Sequence, residues 1–221
     1  MSSFDPIASL LPAGLALGLV GCGLDGEPDD QGDPYADAVS AFDPAPDSFF
    51  GHEQLPDIVL GPPRGGFDVA SLGCAGAIEL EFEAPGIVDG PGPDLIVFEN
   101  PFDASFPEPG EVSVSADGIS WTVFPCDPLT LAGCAGISPT LALPDSGIDP
   151  RDVELAGGDA FDLASADPAL AEVRFVRIVD RSQAYWEAQG QSYCDPGQQG
   201  AGGFDLDAVV AVHHGLLAVA G

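Results

Sequence analysis

The stretch that decides the fold is Ala77-Ile-Glu-Leu-Glu-Phe-Glu83. Every second side chain in it is apolar, so that Ile78, Leu80 and Phe82 share one face and the three glutamates share the other. An alternation with a period of two is typical of an antiparallel β-strand that buries one face and exposes the other. The stretch therefore predicts a half-buried strand of a β-sheet that has one face on the core and the other in solvent.

Further strand patterns follow at short intervals, separated by loops rich in Gly, Pro and Asp. They are residues 58–60, 95–98, 111–115, 119–124, 173–180 and 205–214. Asp117-Gly118 is expected to form a two-residue hairpin turn, since both residues tolerate positive φ angles. About eight short strands with hardly any helical pattern predict an all-β fold, a β-sandwich of the jelly-roll type.

The last strand pattern carries acidic side chains. Its apolar residues are expected on one face, which leaves Asp205 and Asp207 side by side on the other face. The apolar set is Leu206, Ala208, Val210 and Val212.

The charge balance limits the partners. The 221 residues include 36 acidic side chains and five Lys and Arg together, all five of them arginine, for a formal net charge of −31. Such a charge repels phosphate backbones, so no nucleic-acid partner is expected. Arg174, Arg177 and Arg181 are expected to pair with nearby carboxylates.

The N-terminal segment predicts export. Residues 7–21 carry no charge, and their close, Leu19-Val20-Gly21-Cys22, resembles the lipobox of bacterial lipoproteins. We expect a signal peptide over 1–21, an acidic, disordered tether over 22–36 and a β-sandwich domain over 37–221. Cys22 would then carry the lipid that anchors the chain in the cell envelope, at the outer membrane or cell surface. The alternative is a buried apolar segment that ends in Gly-Cys, since no Lys or Arg precedes it.

The remaining cysteines agree with an oxidising compartment. Cys74, Cys126, Cys134 and Cys194 are even in number, as disulfide pairing requires. Three pairings are possible. The shortest loop joins Cys126 to Cys134, which leaves Cys74 with Cys194.

Two resemblances add to this reading. Val112-Ser-Val-Ser-Ala-Asp-Gly-Ile-Ser-Trp-Thr-Val-Phe124, followed by Arg174-Phe-Val-Arg-Ile178, resembles the core of discoidin domains, which are galactose-binding-like jelly rolls. That resemblance implies binding of glycans, lipids or proteins through loops at one end, often with a structural calcium ion.

The second resemblance is to a family of uncharacterised bacterial cell-surface proteins and lipoproteins, and it implies location and fold. Its motifs are Val59-Leu-Gly-Pro-Pro63, Asp89-Gly-Pro-Gly-Pro-Asp-Leu-Ile-Val-Phe-Glu-Asn-Pro-Phe102, Gly158-Asp-Ala-Phe-Asp-Leu163 and Gly203-Phe-Asp-Leu-Asp-Ala-Val209.

Oxygen-bearing side chains in two of these motifs predict a calcium site, because Ca²⁺ prefers several oxygen ligands. The predicted ligands are Asp94, Glu99, Asn100, Asp103, Asp205 and Asp207. Asp159 and Asp162 are outlying candidates. The alternative is that these acids form turns and a charged surface.

The sequence favours a non-catalytic binding module for polysaccharide or another envelope component. The motifs of serine hydrolases, phosphate-binding loops and zinc proteases are missing. The alternatives are a structural or adhesive lipoprotein without a small-molecule ligand, and a carbohydrate-active hydrolase that needs only two carboxylates. Exposed aromatic rings on a loop rim would favour glycan binding. The candidates are Phe49, Phe50, Phe106, Tyr185 and Trp186.

Overall fold

Two antiparallel sheets pack against each other in the computed structural model, which describes residues 33–100, 106–192 and 200–215. The five-stranded sheet has the order β1 (Ala38–Asp43), β3 (Ala77–Glu81), β10 (Phe175–Asp180), β6 (Gly110–Ser115) and β7 (Thr122–Val123). The four-stranded sheet has the order β2 (Ala70–Ser71), β11 (Asp205–Ala211), β5 (Leu95–Glu99) and β8 (Asp159–Phe161).

Shorter elements complete this part of the chain. Strand β4 (Ile87–Val88) pairs with β9 (Glu172–Val173). The helical segments are a 3₁₀ turn (His52–Gln54), α1 (Leu163–Ala166) and α2 (Ser182–Ala188). Between most consecutive strands the chain crosses from one sheet to the other, as it does in jelly rolls. The predicted all-β sandwich is confirmed.

Strand β3 has the predicted two faces. Ile78 and Leu80 are fully buried between the sheets, whereas Glu79 and Glu81 lie on the outer face. There the cross-strand pairs Arg177–Glu79 and Arg174–Glu81 have N–O distances of 2.6 and 2.8 Å. Arg181 likewise pairs with Glu111 at 2.7 Å. The predicted pairing of the three arginines with carboxylates is confirmed. Their positive charges are therefore balanced by glutamates on this face.

Strand β5 is buried on both faces. Leu95 and Val97 face the core between the sheets, while Ile96 and Phe98 pack into a second apolar cluster on the other side of the sheet. Residues of the 139–157 segment, such as Ala142 and Ala156, cover that second side. This explains why β5 has a continuous apolar sequence instead of an alternating one.

Strand β11 departs from its predicted alternation. The register shifts between Leu206 and Ala208, as a β-bulge does. Leu206 therefore shares the inner core with Val209, whereas Ala208 and Val210 lie on the opposite face. The prediction of one face for all four apolar residues was wrong, because one extra residue in a strand reverses the orientation of every side chain after it.

Two local predictions were also wrong. Residues 58–60 form turns, with the Ile58 N–H donating to the Gln54 carbonyl, because a short apolar run predicts burial but not backbone conformation. The connection from β6 to β7 is longer than a two-residue hairpin. The carboxylate of Asp117 accepts the N–H groups of Ile119 and Ser120, which stabilises the wider loop.

The start of the domain lies at or before residue 34, since the Pro34 carbonyl accepts the Ala211 N–H and Tyr35 bridges Val210. Residues 34 and 35, which the sequence assigned to the tether, thus contact strand β11. The predicted signal, residues 1–21, and the lipidation residue Cys22 lie outside the described residues. None of the described helices is both long and apolar enough to cross a membrane.

The Cys126–Cys134 disulfide is present, as predicted, with an S–S distance of 2.03 Å. It closes the loop that follows β7. Cys74 is also disulfide-bonded, and Cys194, its predicted partner, lies outside the described residues. The Cys126–Cys134 part of the predicted pairing is confirmed.

Replacing Cys126 and Cys134 together by serine is expected to lower the free energy of unfolding by about 2.5 kcal/mol, because the bond restricts a loop of about nine residues in the unfolded chain. Urea unfolding of the two proteins measures the difference. An unchanged midpoint would mean that this loop is equally restricted without the bond.

Candidate functional site: two acidic clusters at the ends of strand β5

The predicted calcium ligands do not form one site. Asp94 precedes β5 and Glu99 is its last residue, so five residues of extended chain hold them about 17 Å apart. Strand β11 runs antiparallel to β5 and brings Asp205 to the Glu99 end. The structure therefore divides the predicted residues between two separate acidic clusters.

The first group, here called the outer acidic cluster, consists of Asp89, Asp94 and Asp162. One carboxylate oxygen of each lies within 4.8 Å of the other two. Asp94 is fully buried, while Asp89 and Asp162 are half-buried. Three carboxylates at this spacing are a donor set that suits a hard divalent cation.

Backbone N–H groups orient the buried member of this cluster. One oxygen of Asp94 accepts from Gly90 and the other from Leu163, each at 2.7 Å. Burial raises the pKa of Asp94, and these two hydrogen bonds oppose the rise. Asp162 is the N-cap of α1 and accepts from the Ala164 N–H at 2.9 Å.

Two atoms in or beside the outer acidic cluster are buried without a hydrogen-bond partner, namely Asp89 Oδ1 and Nε2 of the neighbouring His213. His213 Nε2 lies 4.0 Å from Asp94 Oδ1. A glycine is needed at position 90, because a side chain there would collide with the His213 ring. The His213 imidazole thus lies next to Asp94, and its Nε2 atom has no hydrogen-bond partner.

A groove opens beside the outer acidic cluster, between the edge strand β8 and residues 124–137, which follow the edge strand β7 of the other sheet. Its volume is about 360 Å³. Phe124 and Phe161 contribute to its apolar lining, with ring centroids 5.0 Å apart, and Leu131 of the disulfide loop also lines it. The polar lining comes from Asp159, Asp162 and Ser165. Asp162 belongs to both the groove and the outer acidic cluster.

The second group, here called the inner acidic cluster, lies at the other end of β5 and consists of Glu99, Glu108, Asp159 and Asp205. All but Asp159 are buried, with 5% or less of each residue exposed. Burial raises the pKa of Glu99 well above its usual range, and the charges of the other three acids raise it further. Burial likewise raises the pKa of Asp205 to about 7.

The other predicted ligands have different roles. Asp207, at the β-bulge, accepts three hydrogen bonds of 2.7–3.1 Å from the Arg64 and Gly65 N–H groups. The Asn100 side chain donates to the Gly66 carbonyl. Both residues therefore hold the loop around residues 64–66, and Asp103 lies outside the described residues.

The predicted aromatic rim is not assembled around the groove. Phe106 stacks on Trp186 with centroids 4.2 Å apart, and Tyr185 contacts the same indole edge-on. Phe49 is 60% exposed, but it lies against Gly200 at another part of the surface. The aromatic residues that line the groove are instead Phe161 of β8 and Phe124, which follows β7.

Asp89 and His213 were missed as site residues. The sequence did contain one signal, because Asp89 and Asp94 flank Gly-Pro-Gly-Pro, which must turn and so brings the two carboxylates together. For His213 there was no local signal, since its contact with Asp94 depends on the pairing of β11 with β5.

Together the fold and the site define an acidic antiparallel β-sandwich. At one open edge it has a groove and a cluster of carboxylates that suits a divalent cation. No protein-family model matches this chain, and no curated protein is significantly similar to it. The two resemblances drawn from the sequence therefore stay predictions.

Asp207→Ala is expected to lower the free energy of unfolding by about 3 kcal/mol, because the Arg64 and Gly65 N–H groups lose a charged acceptor in a largely buried position. The shift of the thermal midpoint on adding calcium should stay that of the unmodified protein. Thermal melts in chelator and in calcium measure both effects. A folded variant without any calcium response would instead make Asp207 a ligand.

Proposed function

We propose that this chain is the non-catalytic, glycan-binding module of a lipid-anchored cell-envelope protein. A polysaccharide segment binds in the groove between β8 and residues 124–137, and Ca²⁺ on the outer acidic cluster ligates its hydroxyl groups. The observation that carries the proposal is that Asp162 belongs both to the groove and to the cluster.

The lining of the groove supports a sugar as the ligand. A pyranose ring has an apolar face made of C–H groups and an edge of hydroxyl groups. The groove has a matching division, with Pro125, Leu131 and Ile137 on the accessible apolar side and Asp159, Asp162 and Ser165 on the polar side. The groove is also open along its outer side, which suits a segment of a longer polymer better than an enclosed small molecule.

The donor set supports calcium next to the sugar. Three carboxylates provide charge and some of the six to eight oxygens that Ca²⁺ takes, which leaves positions for other oxygen ligands. A vicinal pair of hydroxyl groups, as in galactose or mannose, offers two oxygens that one ion can bind together. Mg²⁺ fits less well, because it demands octahedral geometry and releases its water reluctantly.

The charge of the chain favours neutral polysaccharides. At a formal charge of −31 the surface repels anionic polymers at long range. A neutral galactose- or mannose-containing polysaccharide avoids that repulsion and still supplies the hydroxyl oxygens.

The two carboxylates of the groove both accept hydrogen bonds from the backbone. Asp159 accepts the Ile137 and Ser138 N–H groups, and Asp162 accepts the Ala164 N–H. Both carboxylates thus hold backbone segments in position. Burial raises the pKa of Asp159, and its hydrogen bonds from Ile137 and Ser138 oppose that rise.

The envelope location rests on the lipobox-like sequence before Cys22, and the Cys126–Cys134 disulfide supports an oxidising compartment. The net charge agrees with a partner other than nucleic acid.

The first test is binding of galactomannan by the full chain, measured by affinity electrophoresis and calorimetry. We expect binding in calcium and its loss in chelator, because the ion bridges protein and sugar. Asp162→Asn should weaken binding about tenfold or more, since it removes a metal ligand. Ser165 is an exposed residue of α1 that lines the groove. Ser165→Trp should therefore block sugar binding in the groove while calcium binding persists.

The matched control is Asp145→Asn. It removes one charge from an exposed aspartate that takes no part in the hydrogen bonds described for the site. It should bind galactomannan like the unmodified chain. Calcium-independent binding, or none to galactomannan or arabinogalactan, would remove the glycan proposal and favour a structural or adhesive role. Release of short oligosaccharides from the polymer would favour a hydrolase.

Cys22→Ala is expected to move the protein from the membrane fraction to the soluble envelope fraction of a bacterial host, because no acyl chain can be attached. Fractionation followed by mass spectrometry of the N-terminal peptide measures this. Lipid anchoring would be contradicted if the wild-type protein were found in the soluble fraction with an unmodified Cys22.

A further inference from the structure

Glu99 and Asp205 are buried side by side without donors for most of their oxygens. Glu99 is 1% exposed and neither of its carboxylate oxygens has a hydrogen-bond partner of good geometry, although the Asp205 N–H acts on the carboxylate and opposes the rise of its pKa. Asp205 is fully buried, and while Oδ1 accepts from the Ser71 hydroxyl, Oδ2 has no partner. The two residues meet where β5 ends and β11 begins, since Glu99 is paired with Leu206.

Two other buried acids of this fold, Asp180 and Asp94, have a donor on each carboxylate oxygen. Asp180 accepts the Ala75 and Phe204 N–H groups, one on each oxygen. Asp94 accepts the Gly90 and Leu163 N–H groups in the same manner. A buried polar group without a partner is costly, and an ionised one is far more so.

No side chain in the described part of the chain neutralises the inner acidic cluster. The charged groups with the largest effect on Glu99 are the acids Glu108, Asp205 and Asp159, and Asp180 acts on Asp205. The chain has no lysine. Its ion-paired arginines are bonded to acids outside the cluster, namely Glu79, Glu81, Glu111 and Asp149. The described side chains therefore leave two means of compensation, a proton on the carboxyl groups or a cation from solution.

We propose that the inner acidic cluster is a buried Ca²⁺ site in which Glu99 and Asp205 are the primary ligands. Glu108 and Asp159 add negative charge around the ion. The cluster contains only oxygen donors, which suits a hard cation, and Glu99 has both oxygens available for bidentate coordination. This site is about 17 Å from the outer acidic cluster, at the opposite end of β5, and it goes beyond the glycan proposal.

The spacing of the carboxylates predicts a structural role for this ion. Among the described acids, three carboxylates lie within 4.8 Å of one another only in the outer acidic cluster. Those of the inner acidic cluster do not meet this spacing and would have to close in around an ion. Binding would then draw together β5, β11 and the segment around Gly203, whose N–H donates to Glu108 at 2.8 Å.

The stoichiometry of calcium binding tests the site. The full chain is stripped with chelator, and bound calcium is counted by equilibrium dialysis. We expect two ions per chain, one in Glu99→Gln, one in Asp89→Asn and none in the double variant. The matched control for Glu99 is Glu154→Gln, which removes a charge from an exposed glutamate and should keep both ions.

Thermal unfolding gives a second, independent readout. Calcium at about a hundredfold excess over Kd should raise the midpoint of the unmodified chain by about 5–10 °C per site. Glu99→Gln should melt close to the unmodified chain in chelator, because glutamine resembles the protonated acid that the raised pKa of Glu99 favours. It should lose one of the two calcium-dependent increments. A merely destabilising substitution would lower the midpoint in both conditions.

The outcomes separate this proposal from the glycan proposal. Two ions retained in Glu99→Gln would overturn the inner site, as would a single ion that is lost only in Asp89→Asn. A single ion lost only in Glu99→Gln would support the inner site and remove the calcium part of the glycan proposal.

A measurement on the unmodified chain covers the case in which the variants do not fold. Hydrogen exchange of the amides of residues 95–100 and 203–211 should slow on adding calcium, because the ion ties the ends of β5 and β11 together. Exchange rates that calcium leaves unchanged in both segments would overturn the proposal.

Discussion

The burial of β5 on both faces is the constraint on which the arrangement of the acids depends. Leu95 and Val97 pack between the sheets, and Ile96 and Phe98 pack under the 139–157 segment. A strand held from both sides leaves little freedom at its ends. Asp94 and Glu99 therefore occupy fixed positions at opposite ends of one rigid element, and each becomes the centre of a separate acidic cluster.

The scarcity of positive charge distinguishes the two faces of the molecule. On the outer face of the five-stranded sheet, Arg174 and Arg177 pair with glutamates across neighbouring strands. Around β5 no arginine forms an ion pair with either acidic cluster in the described residues, and backbone N–H groups satisfy Asp94 but not Glu99. The proposed cation sites follow from this difference, because buried carboxylates need donors or counter-ions.

Particular residues show how far local sequence information reaches. The alternation around Ile78 and Leu80 predicted a strand correctly, since it records which side chains avoid water. The same reasoning failed for β11, where the bulge at Asp207 changes the face of every later side chain. It also could not separate Asp94 from Glu99 functionally, because both belong to one motif and their partners come from distant segments.

The sequence by itself determined the all-β class, the two-faced β3 and the acidic character of the site, and it favoured the disulfide between Cys126 and Cys134, because period, loop length and composition are local properties. Only the tertiary structure decided which acids meet. The antiparallel pairing of β11 with β5 brings Asp205 to Glu99 and His213 to Asp94, and the position of β8 beside β5 brings Asp162 to Asp89 and Asp94. Contacts between residues that are distant in the chain depend on strand order and register, which no single stretch of sequence contains.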